Sequence, residues 1–301
     1  MKINQHQKAF KETIEQNREE IGKRPEWLKV RLPSGKNYKE VYELMRKSKL
    51  NTVCEEAKCP NLGECWGRRT ATFMILGDTC TRSCGFCNVK LGLPTELDLD
   101  EPRRVAESVE TLNLKHVVIT SVNRDELKDG GASIFSETVR FIRERMPNTT
   151  IEILIPDFKG EEHAFEIIMK NPPDILNHNL ETVKRLYHGV RPQAKYERSL
   201  DVISWFKEKG LRTKSGIMVG IGETKEEVVE LINDLYNAGC DIMTIGQYLQ
   251  PTQNHLPVHR YVTLDEFQFY KDYGLNLGMK AVESSPLVRS SYHADKHAEL
   301  V

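Results

Sequence analysis

The sequence predicts an α/β protein built as a partial, open barrel of six strand–helix units, with a doubly wound sheet as the alternative. From Phe73 onward, short apolar or β-branched runs alternate with longer stretches of helical periodicity, and the connections are short. That alternation calls for parallel strands flanked by helices. Six units are two short of a closed eightfold barrel. The loop Cys80-Thr81-Arg82-Ser83-Cys84-Gly85-Phe86-Cys87 follows the first strand, at the end where α/β proteins gather their reactive groups.

Composition narrows the class. Of 301 residues, 39% are hydrophobic and 29% charged, as in a globular protein. The 43 basic and 44 acidic residues nearly cancel, so no bulk field steers the chain to nucleic acid or an anionic membrane. No apolar run approaches transmembrane length. Residues 1–23 are charged and lack the apolar core of a signal peptide, which predicts a cytoplasmic protein. Six of the seven cysteines fall between Cys54 and Cys87. In a reducing compartment such clustering points to metal or catalysis, not disulfides.

In chain order, residues 1–24 are polar and helix-prone and are expected on the surface. An extended segment runs from Arg24-Pro25-Glu26-Trp27-Leu28 to Pro33-Ser34-Gly35. Asn37 is a candidate cap for a helix carrying Tyr38, Val41, Tyr42, Leu44 and Met45, whose aromatics read as packing. The triplet Cys54, Cys59, Cys65 follows at C-x4-C-x5-C spacing, and Pro60, Asn61 and Gly63 predict a looped backbone around a metal centre. Strands are expected at 73–76, 116–121, 150–155, 174–180, 213–220 and 241–249. Helices are expected at 102–113, 133–146, 161–170, 196–209, 224–238 and 264–277, with Thr224 and Glu227 forming a capping box. The organisation that results is an extension (1–50), an auxiliary cluster loop (51–70), the partial barrel (71–285) and a tail (286–301).

Cys80, Cys84 and Cys87 stand at C-x3-C-x2-C spacing. Three thiolates on one tight loop hold three corners of a [4Fe–4S] cluster and leave one iron without a protein ligand from this loop. Structural zinc is the competing reading, but zinc prefers four closed ligands, and this loop offers one C-x2-C pair, a third cysteine and no nearby histidine. Counting both triplets, six thiolates exceed one centre, so two centres are simpler. The loop, with Phe86 before its last cysteine, resembles the signature of the radical S-adenosylmethionine (SAM) enzymes, in which SAM chelates the open iron. Gly216-Ile217-Met218-Val219-Gly220-Ile221-Gly222-Glu223 resembles that superfamily's G-x-I-x-G-x-x-E, with Met218 where Ile is usual, a motif that supports the adenine of SAM. Glycines there admit a flat ligand close to the backbone. Strand alternation would set Asn177, Asn179 and Glu181 on one face, where Asn179 and Glu181 suit ribose hydroxyls or the amino-acid end of SAM. The Gly-Gly-Glu usual after the second strand is replaced by Ser121-Val122-Asn123-Arg124-Asp125, with Asp129-Gly130-Gly131-Ala132 later, so the groups that hold the methionine end stay open. Cys240 reads as a small buried residue, His255 and His259 as loop residues, and the basic stretch around Arg185 and Arg191 as solvated surface.

Together, the two cysteine triplets, Gly246-Gln247-Tyr248-Leu249-Gln250-Pro251 and the terminal Arg289-Ser290-Ser291-Tyr292 resemble the lipoyl synthase family over nearly the whole chain. The resemblance implies a radical-SAM partial barrel and two [4Fe–4S] clusters. One, on Cys80, Cys84 and Cys87, reduces SAM to methionine and a 5′-deoxyadenosyl radical that removes hydrogen from carbons 6 and 8 of an octanoyl chain on a carrier lysine. The other, on Cys54, Cys59 and Cys65 with Ser291 as fourth ligand, donates the sulfur. Two SAM molecules are consumed per lipoyl group. The implied partners are an octanoylated lipoyl carrier domain, of a 2-oxoacid dehydrogenase E2 or a glycine cleavage H protein, and an electron donor such as flavodoxin or ferredoxin. Two other classes compete: an electron carrier with two clusters, against which stand the unfilled iron and the large α/β body, and a zinc-bearing binding module.

Overall fold

The computed structural model describes residues 5–16, 25–29, 35–67, 72–291 and 294. Among them ten strands run in chain order: β1 Asn51–Thr52, β2 Thr72–Ile75, β3 Thr79–Cys80, β4 Lys90–Leu91, β5 His116–Ser121, β6 Thr150–Leu154, β7 Ile175–Asn177, β8 Arg212–Val219, β9 Ile242–Gln247 and β10 Ala281–Ser284. Two compact units are drawn from interleaved segments of the chain.

The first unit comprises Val30–Arg82, Val89–Asn177 and Ser291–Val301. Its strands lie in the order β1-β2-β5-β6-β7, with β1 antiparallel and the rest parallel. The register aligns Phe73, Ile119, Ile153 and Leu176 in one row, all without solvent exposure. Such rows explain why the strands read as continuous apolar runs: parallel sheets are covered on both faces. The helices Glu101–Leu112, Ala132–Arg145 and Glu162–Ile168 bury Val105, Val109, Phe135, Val139, Ile142 and Phe165. Each such side chain contributes about 1.5–3 kcal/mol.

The second unit comprises Met1–Lys29, Ser83–Asn88 and His178–Ser290. Here β8, β9 and β10 run parallel with β9 central. Ile203, Leu231, Ile232, Leu235, Met243, Ile245, Phe267 and Tyr270 form its core. Thr224 caps the helix Lys225–Asn237 as expected: its hydroxyl accepts from the Glu227 N–H at 3.3 Å, and the Glu227 carboxylate accepts from the Thr224 N–H at 2.9 Å. The pair is worth about 1 kcal/mol.

Several expectations need correction. The helix Gln5–Gln16 is anchored, because Ile14 is buried in the second unit's core and Phe10 packs on it, so two apolar residues one turn apart outweigh a polar composition. Asn37 is not a cap: Gly35, at φ +104°, holds that position, while Asn37 sits inside the helix Lys36–Ser48 and donates to the Gly67 carbonyl at 2.7 Å. Glu26–Leu28 forms a 3₁₀ turn where an extended segment was expected. The strand expected at 174–180 stops at Asn177. The strand β10 was not foreseen, since Val282 is its one fully buried residue.

Candidate active site

The cluster loop begins with a sharp turn. After β2, Leu76 and Gly77 adopt φ values of +69° and +89°. The buried Glu101 carboxylate accepts from the Leu76 N–H at 2.6 Å, and burial pushes that carboxyl up to about 7. β3 then pairs with β4, Thr79 opposite Lys90, and Gly92 N–H donates to the Cys80 carbonyl, so a two-residue ribbon closes the loop. Two backbone N–H groups point at the Cys80 sulfur: Asn123 at 3.3 Å and Arg82 at 3.5 Å. Such donors suit a thiolate or a cluster ligand. Arg82 is buried and forks onto Asp125 at 2.7 and 2.8 Å, with Asp157 at 2.7 Å. Thr81 donates through both N–H and hydroxyl to the Asn123 carbonyl. Segment 123–125, which departs from the Gly-Gly-Glu pattern, therefore braces the first half of the loop. Ser121 Oγ and Asn123 Oδ1 are buried beside it without a hydrogen-bond partner.

The second half of the motif, with Cys84 and Cys87, belongs to the second unit. Cys87 N–H donates to the Cys84 carbonyl at 3.1 Å, Gly85 N–H to Val190 at 2.9 Å, and Leu256 N–H to Gly85 at 3.0 Å. A Cβ on Gly85 would lie 2.9 Å from the Leu256 side chain, so the close approach requires glycine. His255 Nε2 lies 3.0 Å from the Cys87 carbonyl, and its Nδ1 lies 2.8 Å from the Thr252 hydroxyl. A carbonyl only accepts, so Nε2 carries the proton and Nδ1 accepts from Thr252. His255 was read as a plain loop residue. It positions the cluster loop, and a contact across 168 positions leaves no local signal.

The same unit holds the glycine motif. A Cβ on Gly216 would meet Thr244 Oγ1 at 2.5 Å and Asn179 Oδ1 at 2.9 Å, and one on Gly220 (φ +95°) would meet Gln247 Nε2 at 2.2 Å. The Glu223 carboxylate accepts from the N–H groups of Gly220 (2.5 Å), Ile221 (3.0 Å) and Gly222 (3.1 Å). It therefore shapes the turn from within, and burial raises its pKa. Asn179 Nδ2 donates to Glu181 Oε1 at 3.0 Å, while Asn179 Oδ1 is buried without a partner. Burial raises the Glu181 pKa, against which Arg191, Asn179 and Arg289 act. The alternation expected along 177–181 does not hold. β7 ends at Asn177, which donates to Glu152 at 2.8 Å in the first unit, and Glu181 turns to φ +68°. Asn179 and Glu181 are nevertheless neighbours, and an orphaned acceptor beside Gly216 fits a hydroxyl-bearing nucleoside.

The auxiliary triplet lies in the first unit, not on a bare loop. Cys54 sits in the four-residue helix Val53–Glu56, capped by Thr52, and Cys65 in the helix Leu62–Gly67. Cys59 N–H donates to the Cys54 carbonyl, Leu62 to Cys59 and Cys65 to Asn61, so backbone bonds relay from one cysteine to the next. Helices of four and six residues are too short for periodicity to reveal. Burial, then the nearby Cys59 and Cys65 thiols, pushes the Cys54 thiol up to about 12. The Cys59 and Cys65 thiols thus each lie within electrostatic reach of Cys54. Tyr38 packs on Trp66 with centroids 5.2 Å apart, the structural part expected of that aromatic.

Ser291 lies half-buried in a turn and belongs to the unit that holds Cys54, Cys59 and Cys65. Its neighbours Tyr292, His293 and Asp295 lie outside the described residues. Cys240 is buried, its thiol donating to the Ile242 carbonyl, as a structural cysteine would. No disulfide joins any of the seven cysteines. Among the described residues no three Cys, His, Asp or Glu side chains stand together as a ready-made metal site. The cluster assignments therefore rest on spacing, local donors and kinship.

Kinship is close. Residues 74–235 match the radical SAM superfamily, and residues 1–59 match the N-terminal domain of lipoyl synthase of the radical SAM family. The chain is 59% identical to a lipoyl synthase of Rubrobacter xylanophilus, covering 94% of this chain and 89% of the relative. It is 56% identical to a mitochondrial lipoyl synthase of Nematostella vectensis, covering 91% and 94%. Among solved structures it resembles methylornithine synthase (TM-score 0.54, 16% identity, 86% of this chain and 81% of that one). It also resembles Streptococcus suis SuiB bound to S-adenosylmethionine (TM-score 0.54, 13% identity, 84% and 58%). These two likenesses bear on the fold alone: the α/β partial-barrel type of the radical SAM enzymes, with the six strand–helix units read from the sequence. The chain belongs to the lipoyl synthase family.

Proposed function

We infer that this chain inserts two sulfur atoms at C6 and C8 of a protein-bound octanoyl-lysine, forming lipoyl-lysine at the cost of two SAM molecules. The observation that carries the reading is the pair of cysteine triplets on a chain 59% identical to a lipoyl synthase over 286 residues. When bound, the cluster on Cys80, Cys84 and Cys87 supplies an electron to SAM, and the auxiliary cluster supplies sulfur. The residues orient and shield this chemistry.

Asn179 and Glu181 are proposed to hold the ribose, and the backbone of Gly216 and Gly220, with Glu223 bracing the turn, to support the adenine. Ser121 Oγ and Asn123 Oδ1 are proposed to accept from the methionine amino group, supported by their burial without partners and by the Asn123 N–H at the Cys80 sulfur. Cys54, Cys59, Cys65 and Ser291 are proposed to hold the auxiliary cluster. In support, Ser291, more than two hundred positions downstream, clusters into the same compact unit as that triplet. An alkoxide is a harder donor than a thiolate, so Ser291 would hold its iron less firmly than Cys54, Cys59 and Cys65 hold theirs.

The enzyme acts on a lipoyl carrier protein. An E2 or H-protein carrier, a flavodoxin or ferredoxin donor and a cytoplasmic location are proposals; among the described residues no helix is long and apolar enough to cross a membrane. The test compares an octanoylated lipoyl domain with free octanoic acid. Carrier contact supplies binding energy remote from the reacting carbons, so only the carrier-bound chain is expected to turn over efficiently. Equal rates would refute a protein-borne substrate.

A further inference from the structure

Asn179 faces two ways. Its Oδ1 is buried without a partner and lies 2.9 Å from where a Gly216 Cβ would stand. Its Nδ2 is shared between Glu181 Oε1 at 3.0 Å and Ser290 Oγ at 3.2 Å. Ser290 is the residue before the proposed cluster ligand Ser291. The segment leading to it is built into the sheet end: Gln247 N–H donates to the Pro286 carbonyl at 3.1 Å, and Val288 is buried. A Cβ on Gly246 would lie 2.1 Å from the Val288 carbonyl oxygen and 3.0 Å from Arg289 Nη1, so that glycine makes room for the segment. Arg289 also favours the charged form of Glu181. Residues 286–290 therefore pack beside the Asn179–Glu181 pair, not as a loose end.

Given the nucleoside site inferred above, we propose that Ser290 is a positioning residue that reads SAM occupancy through Asn179 and transmits it to the segment carrying Ser291. A ligand hydroxyl donating to Asn179 Oδ1 fixes the plane of the amide and strengthens the bond its Nδ2 makes on the other side. The segment then tightens when SAM binds, and a tightened segment in turn pre-organises Asn179 for SAM; coupling of this kind is reciprocal. The two consecutive serines are thus divided in function, Ser290 toward the nucleoside and Ser291 toward the auxiliary centre.

The test uses the cluster-loaded enzyme without reductant, so that SAM binds and is not consumed. Amide hydrogen exchange of residues 287–291 is followed with and without SAM, and SAM affinity is measured by equilibrium binding. Wild type is expected to show slower exchange with SAM. Ser290→Ala should lose that protection and bind SAM roughly fivefold more weakly, the worth of one neutral hydrogen bond. Ser290→Thr, which keeps the hydroxyl, should restore both. SAM binding that leaves 287–291 unprotected in wild type, or protects Ser290→Ala equally, overturns the proposal alone. A chain that does not bind SAM at all overturns the functional reading and this proposal with it.

Discussion

The imidazole of His255 donates from Nε2 to the carbonyl of Cys87 at 3.0 Å, while its Nδ1 accepts from Thr252. The ring is buried, and both nitrogens are engaged. His255→Ala would leave the Cys87 end of the loop without this tie, at a cost of about 1–3 kcal/mol. Iron on the Cys80 site should then be lost to a chelator faster by an order of magnitude, with iron on the Cys54 site retained. Unchanged iron retention would mean that the contact holds the loop only incidentally.

The two cysteine triplets should separate by mutation. Cys80→Ala is expected to abolish reductive SAM cleavage, because that centre loses a ligand. Cys59→Ala should retain SAM cleavage and lose sulfur insertion. Lipoyl formation at the wild-type rate by Cys59→Ala would exclude the auxiliary centre as sulfur donor.

Gly216→Ala addresses the nucleoside site. The added methyl would sit 2.5 Å from Thr244 Oγ1 and 2.9 Å from Asn179 Oδ1, and forced side-chain shifts of this kind cost about 1–3 kcal/mol. SAM affinity, measured by equilibrium dialysis, should fall about tenfold. Intact affinity would remove Asn179 and Gly216 from the site.

Glu101 makes stability depend on pH. Burial raises its carboxyl from the usual 4.5 to about 7, with Asp98 pushing the same way and the Leu76 N–H and Arg104 opposing. A raised folded-state pKa means that the neutral form stabilises the fold. Its contribution is complete below about pH 4.5 and is lost as pH rises through about 7. Glu101→Gln stays neutral and still accepts from Leu76. Its melting temperature relative to wild type should therefore climb by several degrees between pH 5 and pH 8. A pH-independent difference would show that the carboxyl titrates normally.

What could be read beforehand follows from physical range. The six strand–helix units declare themselves because rows such as Phe73, Ile119, Ile153 and Leu176 must be apolar wherever both faces of a sheet are covered. The capping box at Thr224 is equally local. His255 was missed because its partner lies 168 positions away. β10 was missed because four residues with one core side chain carry no periodicity. The alternation argument failed because β7 ends at Asn177, before Asn179 and the left-handed Glu181 are reached. Between the two serines only family resemblance singles out Ser291 as the proposed ligand, while the contact of Ser290 with Asn179 is visible in the fold alone.

The bond from Gln247 N–H to the Pro286 carbonyl turns the end of β9 into a mooring for the tail. Ser291 stands five positions after Pro286, a reach of about 17 Å at full stretch. A hydroxyl confined to a sphere of that radius has an effective concentration of roughly 0.1 M. Free alcohols are poor ligands for iron, and the mooring would hold the proposed ligand Ser291 at that local concentration however dilute the protein. If Ser291 is the ligand proposed above, its oxygen would stay within that reach even when unbound.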